Sequence, residues 1–263
     1  MNLIIISRKI LFLFIAIILI TTIGLFSFTN TTCIAVELSR NSLMSNELKN
    51  KISNITKNKE KVAYLTFDDG PDPKITPKIL NILKDENIKA TFFVVGKNVD
   101  TYPEIVKTAF EDGHFIANHG YSHNNKNLYK NATTFKNEVK KTDEAIGNAI
   151  GVKDYCSHIF RFPNGFMSPS NKYHKKKALE LLNDMNYTYV DWNCLNNDSL
   201  KKYSQKQLLN NLIKTSKNKD SLIILMHDTD YVSNSLTVLK ESINYLKSNG
   251  YIFKNFYDIL EWN

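Results

Sequence analysis

Side chains that can bind metal ions follow three predicted strands of this chain, at the point where each strand ends. The strands are Val62–Phe67, Phe115–Asn118 and Leu222–Met226, and the side chains that follow them are Asp68 and Asp69, His119 and His123, and His227 with Asp228. When such residues recur at the carboxyl ends of strands that alternate with helices, they meet on one face of a barrel or parallel sheet. The pattern therefore favours an α/β fold with a functional site on that face.

Strand patterns and helix patterns alternate from Lys61 onward. Helix starts are predicted at Thr76, as a cap before a first-turn proline, at Pro103, and after the capping residues Asn131 and Ser204. The remaining predicted strands are Ala90–Val95, His158–Phe162, Tyr187–Trp192 and Tyr251–Phe253. Seven strand–helix units predict a parallel barrel or sheet with right-handed crossovers.

The composition fits an ordinary globular enzyme. A chain of 263 residues, 43% hydrophobic and 23% charged, is long enough for one sizeable α/β domain with an appendage. The net charge of +8 suits an anionic wall polymer or a membrane surface. Because the lysines are spread through the helices and form no block with interleaved aromatic residues, nucleic acid is not an expected partner.

The amino terminus is predicted to direct export. Arg8 and Lys9 precede an almost uninterrupted apolar run at Ile10–Phe28. A charged segment before an apolar run is typical of a signal peptide, but this run also approaches the roughly 20 residues that span a bilayer. A cleaved signal and an uncleaved membrane anchor therefore both remain open, and either places the rest of the chain outside the cytoplasm.

These patterns divide the chain into three parts. Residues 1–35 are the predicted signal peptide or anchor, residues 36–60 a stalk or linker with room for one short helix, and residues 61–263 the catalytic domain. Beyond the leader only Cys156 and Cys194 remain, and no Cys-x-x-Cys pair is present. A domain with its own large core does not need a disulfide, so free thiols are favoured over a bond between them.

The aspartate pair and the histidine pair have separate interpretations. Asp68 and Asp69 are adjacent, and in an extended strand neighbouring side chains point to opposite sides, so one could bind a metal while the other faces a water molecule. The segment also favours a turn on its own. His119 and His123 are four apart, and two neutral imidazoles with one carboxylate are ligands typical of catalytic Zn²⁺ or a similar ion.

Four segments resemble the motifs of the polysaccharide deacetylases with NodB homology, carbohydrate esterase family 4. They are TFDDGPD at 66–72, NHGYSH at 118–123, FRFPNG at 160–165 and LMH at 225–227. The resemblance covers about Lys61 to Ile259 and includes the order of the motifs.

This resemblance implies a distorted (β/α)7 barrel and metal-dependent removal of N- or O-acetyl groups from glycans. By position, Asp68 would be the general base, His227 the general acid, and Arg161 the residue that holds Asp68. Asp69 would bind a divalent ion together with two histidines. The metal ligands implied are Asp69, His119 and His123, and the ion expected is Zn²⁺, with Co²⁺ or Ni²⁺ as alternatives.

Three positions depart from the family pattern. Gly120 stands where the second motif usually has Ser or Thr, which predicts a softened loop rather than a lost metal. Asn164 replaces a frequent Tyr, and a backbone N–H beside it is expected to help stabilise the oxyanion. Asp198 aligns best with the aspartate that orients the catalytic histidine, although Ser199 follows it in place of Trp. Asp191 is the alternative partner for the histidine.

The leading hypothesis is an exported or membrane-anchored deacetylase that acts on N-acetylglucosamine of peptidoglycan. Alternatives within the same chemistry are deacetylases of chitin, xylan or N-acetylmuramic acid. An alternative from another class is a catalytically weak glycan-binding domain, suggested by Gly120 and Ser199.

Overall fold

The structure, a computed structural model, describes residues 46–199, 203–230 and 234–260, within which Glu47 onward forms one compact unit. Helical residues 46–55 are here termed α1. The other helices are α2 Thr76–Asp85, α3 Gly96–Thr101, α4 Pro103–Glu111, α5 Asn125–Leu128, α6 Ala132–Ile150, α7 Lys172–Asp184, α8 Gln205–Ser216, α9 Asn234–Ser248 and α10 Tyr257–Leu260. The strands are β1 Val62–Asp68, β2 Thr91–Val94, β3 Phe115–Asn118, β4 Ile159–Phe160, β5 Thr188–Tyr189, β6 Cys194–Leu195, β7 Ser221–His227 and β8 Ile252–Lys254.

All strands pair in parallel in one curled sheet of order β5-β4-β3-β2-β1-β7-β6. β7 runs along the whole of one edge of β1. On the other edge β8 pairs with the first half of β1 and β2 with the second half. In the described residues β5 and β6 do not pair with each other, so the expected barrel is an open, half-barrel sheet.

The alternation of side chains along β1 separates two packed layers. All seven residues of β1 and all seven of β7 are buried, as expected for a parallel sheet covered on both faces. Ala63, Leu65 and Phe67 pack in the layer that the surrounding helices cover. Val62 and Tyr64 face the concave side, where they join a second apolar cluster. Asp68 continues this inward row, so the strand delivers its carboxylate to the concave face.

Helix α1 belongs to the compact unit. Leu48, Ile52 and Ile55 recur at helical spacing, are buried, and pack in the concave-side cluster with Val62 and Tyr64. The compact unit therefore begins at Glu47, whereas a linker was expected as far as residue 60. The predicted signal or anchor and the start of the predicted stalk lie outside the described residues. Within the described ranges, no helix combines the length and apolar character that crossing a bilayer requires.

Several predicted element boundaries differ from the structure. β4 and β5 are two residues long and end at Phe160 and Tyr189, before the predicted ends at Phe162 and Trp192. His158 lies outside β4 because its φ of 55° is in the left-handed region, which an extended strand does not adopt. β6 was not predicted, since two residues are too short to show an alternating pattern.

The predicted cap at Thr76 is wrong, because Ile75 is the N-cap and the Thr76 hydroxyl instead donates to Asp228. The starts at Pro103, Asn131 and Ser204 are confirmed, with side-chain caps at the last two. Cys156 and Cys194 are both free thiols, as the sequence favoured.

Candidate active site

The polar side chains gather at the carboxyl ends of β1, β3 and β7. Asp68 is the last residue of β1 and is the register partner of His227, the last residue of β7. His119 directly follows β3, which lies on the other side of β2. The sheet order therefore places the end of β7 beside the end of β1 and the end of β3 one strand further away. Asp68 and His227 are brought together although they are 159 positions apart in the sequence.

Asp69, His119 and His123 form a compact triad of ligand atoms. Oδ1 of Asp69 lies 3.3 Å from Nε2 of His119 and 3.1 Å from Nε2 of His123. One ligand atom from each residue lies within 4.8 Å of the others. The two imidazole nitrogens and the carboxylate oxygen therefore point at one small volume.

The Arg161 carbonyl fixes the orientation of the His119 ring. Nδ1 of His119 lies 2.8 Å from this oxygen. Because a carbonyl oxygen only accepts hydrogen bonds, Nδ1 carries a proton, and Nε2 is the ring nitrogen that faces Asp69 and could bind a cation. Two neutral histidines and one carboxylate suit Zn²⁺ and similar divalent ions, so the residues fit the group that the family motifs imply.

The side chains of the triad shift one another's pKa values. Burial alone would raise the pKa of Asp69, but hydrogen bonds and charge interactions with His119 and His123 hold that pKa well below its usual range. Burial acts to lower the pKa of His123, yet the hydrogen bond from its ring to Asp69 leaves the pKa raised. Asp69 is therefore a carboxylate across the ordinary pH range and available as an anionic ligand.

The adjacent carboxylates of Asp68 and Asp69 face the same side, which the alternation of an extended strand did not predict. Oδ2 of Asp68 lies 3.9 Å from Nε2 of His119, only slightly farther than Oδ1 of Asp69. The reason is the backbone of Asp69, whose φ of 78° lies in the left-handed region and ends the alternation. Such a conformation in a residue other than glycine costs about 1–3 kcal/mol and is found where function constrains the chain.

Arg161 is fully buried and holds Asp68. Its Nη1 donates to Oδ1 of Asp68 and to Oγ1 of Thr66, both at 2.7 Å, and its Nε donates to the Val190 carbonyl at 2.9 Å. The guanidinium also lies 3.9 Å from the centre of the Phe93 ring. These contacts satisfy a buried cation and fix one oxygen of Asp68, which leaves its other oxygen to face the site.

His227 is paired with Asp198. Nδ1 of His227 lies 2.7 Å from Oδ1 of Asp198, whose Oδ2 accepts the backbone N–H of His227 at 2.9 Å and the hydroxyl of Ser235. Burial acts to lower the pKa of His227, but the hydrogen bond and charge of Asp198, with smaller contributions from Asp68 and Asp69, raise that pKa to about 9. The imidazole is therefore protonated at neutral pH and can give up a proton.

Asp191 has a different set of contacts. Its two carboxylate oxygens accept the backbone N–H groups of Phe166 at 2.9 Å and Met167 at 3.0 Å. Between the two residues that could have paired with His227, the structure thus selects Asp198 and makes Asp191 a support of the loop after β4. The exposed Ser199 takes the place that the family motif gives to Trp.

The loop after β4 is held tightly. Asn164 and Gly165 both adopt left-handed φ, 64° and 75°, and the Gly165 carbonyl accepts a hydrogen bond at 2.5 Å from the buried Lys175 ammonium. A Cβ on Gly165 would lie 2.7 Å from the Trp192 ring, so the indole packs directly on this glycine.

Two carboxylates near the site were assigned no role from the sequence. Asp228 is buried, accepts the Gly70 N–H at 2.9 Å and the Thr76 hydroxyl at 2.7 Å, and has a pKa raised well above the usual range by burial. Its place directly after His227 at a strand end was the available signal. Glu138 accepts two N–H groups of the His119–His123 loop. Its signal was an acidic residue within the apolar stripe of α6.

Comparisons with known proteins agree with these motifs. The family model for polysaccharide deacetylase matches residues 55–190. A peptidoglycan-N-acetylglucosamine deacetylase of Bacillus cereus is 36% identical over 196 residues, which cover 73% of this chain and 66% of that protein. The peptidoglycan-N-acetylmuramic acid deacetylase PdaA of Bacillus subtilis is 31% identical over 202 residues, which cover 77% of this chain and 72% of that protein.

A solved structure shows the same fold. The carbohydrate esterase family 4 esterase of Streptococcus mutans superposes with a TM-score of 0.69 at 29% identity, covering 78% of this chain and 89% of that one. The family match spans more than half of the chain and includes the strands that carry Asp68, Asp69 and His119. The chain therefore belongs to the polysaccharide deacetylases of carbohydrate esterase family 4, hydrolases of N-acetyl amide bonds in polysaccharides.

Proposed function

We propose that this protein is a divalent-metal-dependent deacetylase of N-acetylglucosamine in peptidoglycan. The observation that carries the proposal is the joint placement of three groups at one end of the sheet. They are the triad Asp69, His119 and His123, the pair Asp68 and Arg161, and the pair His227 and Asp198. Together they provide a site for a cation, a base and an acid, which are the groups that hydrolysis of an amide needs.

An ion held by Asp69, His119 and His123 would supply Lewis acidity, which would polarise a carbonyl oxygen and lower the pKa of a water molecule. In this proposal Asp69 and the two histidines hold a single ion. Zn²⁺ is the first choice, and Co²⁺ or Ni²⁺ would fit the same donor set.

Asp68 is the proposed general base. Arg161 fixes its Oδ1 at 2.7 Å, so Oδ2 is the oxygen that can accept a proton from the attacking water. The water's oxygen then forms a bond to the acetyl carbon, and a backbone N–H of the loop around Asn164 is the proposed additional donor to the resulting oxyanion.

His227 is the proposed general acid. An amine leaves poorly as an anion, so the carbon–nitrogen bond breaks when the departing nitrogen receives a proton. The Asp198 carboxylate keeps His227 protonated through its contact with Nδ1, so Nε2–H is the group that can donate to the nitrogen. The products are acetate and a free amino sugar. Asp68 then releases the proton it took from the water, and His227 regains one from solvent.

Peptidoglycan as the substrate is supported by the names of the relatives and by the charge of the chain. The Bacillus cereus relative is named for N-acetylglucosamine and the Bacillus subtilis relative for N-acetylmuramic acid, so both sugars belong in the test. The predicted export segment and the net charge of +8 suit an enzyme that works on the cell wall. We propose an extracytoplasmic location on the same grounds.

Mass spectrometry of peptidoglycan fragments tests this proposal. Fragments are incubated with the full-length protein and Zn²⁺, with Asp68→Asn as the matched inactive control. The proposal expects loss of one acetyl group from N-acetylglucosamine residues with the wild type alone. Loss from N-acetylmuramic acid instead would change the sugar assigned. No loss from any glycan by metal-loaded protein would favour the catalytically weak glycan-binding alternative.

A further inference from the structure

The short loop that joins His119 to His123 is held by side chains at every backbone N–H between them. The N–H of Gly120 donates to Oδ1 of Asn118 at 2.9 Å. The N–H groups of Tyr121 and Ser122 donate to the same oxygen, Oε2 of Glu138, at 3.0 and 2.7 Å. Because both proposed histidine ligands are attached to this loop, the position of its backbone determines where their imidazole rings are placed.

The loop carbonyls are held from another direction. The carbonyls of Gly120 and Tyr121 accept the N–H groups of Gly96 and Lys97, both at 3.0 Å, at the start of α3. These bonds fix one edge of the loop, and Glu138 on α6 fixes the opposite, donor edge. Removal of Glu138 would therefore leave two donors without their acceptor, while the carbonyl contacts would remain.

Glu138 occupies an unusual position for a carboxylate. It lies on the buried face of α6 together with Phe135, Val139 and Thr142 and is only 8% exposed. Burial of a carboxylate is costly unless hydrogen bonds satisfy it. Within the described part of the chain no ion pair involves Glu138, and its carboxylate accepts the N–H groups of Tyr121 and Ser122.

The loop needs such support because its backbone is strained. Gly120 has a φ of 82° and His123 a φ of 50°, both in the left-handed region. For His123, which carries a Cβ, this conformation persists only where its surroundings impose it. Gly120 lacks the hydroxyl that the family motif usually provides at this position to support the loop. Glu138 lies close enough to supply this support instead, because its Oε2 would be 3.9 Å from a Cβ built on Gly120.

We propose that Glu138 is a positioning residue that holds His119 and His123 at the separation a single metal ion requires. This inference rests on the proposed metal site. Glu138 would act through the loop backbone and would not contact the ion. Outer-shell partners of this kind change metal affinity by about 10–100-fold when they are removed.

The test compares three substitutions at one position in the full-length protein. Glu138→Ala removes the acceptor, Glu138→Asp retains the charge but withdraws it by one methylene, and Glu138→Gln retains an acceptor oxygen at the original length. Glu144→Ala, on the exposed side of the same helix, is the matched control. One readout is the affinity for Zn²⁺, measured by competition with a chelator. The other is amide hydrogen exchange at Tyr121 and Ser122 in metal-free protein.

The proposal expects the Ala and Asp variants to bind Zn²⁺ about 10–100-fold more weakly and to exchange the two amides faster. Glu138→Gln and Glu144→Ala should stay near the wild type in both readouts. Wild-type affinity and exchange in both short variants would overturn the proposal, and so would a Gln variant as weak as Ala. If Glu138→Ala does not fold, Glu138→Asp decides. Failure of the wild type to bind any metal would refute the proposed function, while the exchange data would still decide whether Glu138 holds the loop.

Discussion

Asp68 and His227 are register partners in the parallel ladder of β1 and β7. Side chains at paired positions of neighbouring parallel strands point to the same face of a sheet. The proposed base and the proposed acid therefore leave the sheet side by side, each held from behind by a residue of opposite charge. Arg161 holds Asp68 at 2.7 Å, and Asp198 holds His227 at 2.7 Å.

The two adjacent aspartates should lose different properties when they are changed. Asp68→Asn removes the proposed base but no ligand, so metal content should stay at the wild-type level while kcat falls by about 10²–10⁴-fold. Asp69→Asn removes an anionic ligand, so affinity for the ion itself should fall. Metal content by elemental analysis and kcat are measured on the same samples. Equal loss of metal in both variants would show that base and ligand are wrongly assigned.

Asp198→Asn should lower the alkaline limb of the pH profile of kcat/KM. The wild-type His227 has a pKa raised to about 9, so it is a competent acid below that pH. Burial lowers the pKa of His227, and without the Asp198 charge less opposes that effect. The pKa of His227 should therefore fall, and activity should be lost at a lower pH than in the wild type. Asp191→Asn is the control, because Asp191 contacts the loop after β4 and should leave the position of this limb unchanged. A limb lowered by the change at Asp191 alone would contradict the pairing.

The pair of His227 and Asp198 makes the free energy of unfolding depend on pH. The pKa of His227 is raised from its ordinary value of 6.5 to about 9 in the folded protein, so the stabilisation is fully present below about pH 6.5 and is lost as pH rises through 9. In metal-free protein the free energy of unfolding should fall over this window by at most about 3 kcal/mol. Denaturant titrations at several pH values measure it. An Asp198→Asn variant should show a flatter dependence, and an equal slope in both proteins would contradict the coupling.

Helix α1 should contribute to the stability of the domain. Ile52 is buried in the concave-side cluster, so Ile52→Ala should cost about 2–5 kcal/mol in the free energy of unfolding. Asn54→Ala, on the exposed side of the same helix, should change it little. Denaturant unfolding compares the two. Equal stability of both variants would mean that the domain does not need the helix before residue 61.

The sequence predicted the framework of the site because local signals carry it. Buried strands such as Val62–Phe67 have an apolar pattern that ends abruptly at polar residues, and the order of strand and helix then places those ends together. The structure brings Asp69, His119 and His123 into one triad, and their roles as ligands stay predictions.

The contacts that hold the site could not be predicted from local sequence. Glu138 and Asp228 bind backbone N–H groups that are 16–17 and 158 residues away along the chain. Such pairings depend on how α6 and β7 pack, which no short pattern encodes. The left-handed φ of Asp69 is likewise imposed by its surroundings, so the side-chain direction expected of an extended strand was wrong there.

The most direct measurement of the central claim is the release of acetate from an N-acetylglucosamine-containing wall glycan while Zn²⁺ is titrated into metal-free, full-length protein. Bound metal is measured in the same samples. The account predicts no release without metal, release that rises in proportion to bound Zn²⁺ until one ion is bound per chain, and neither binding nor release by a folded His119→Ala variant. Full acetate release by protein that contains no metal would contradict it.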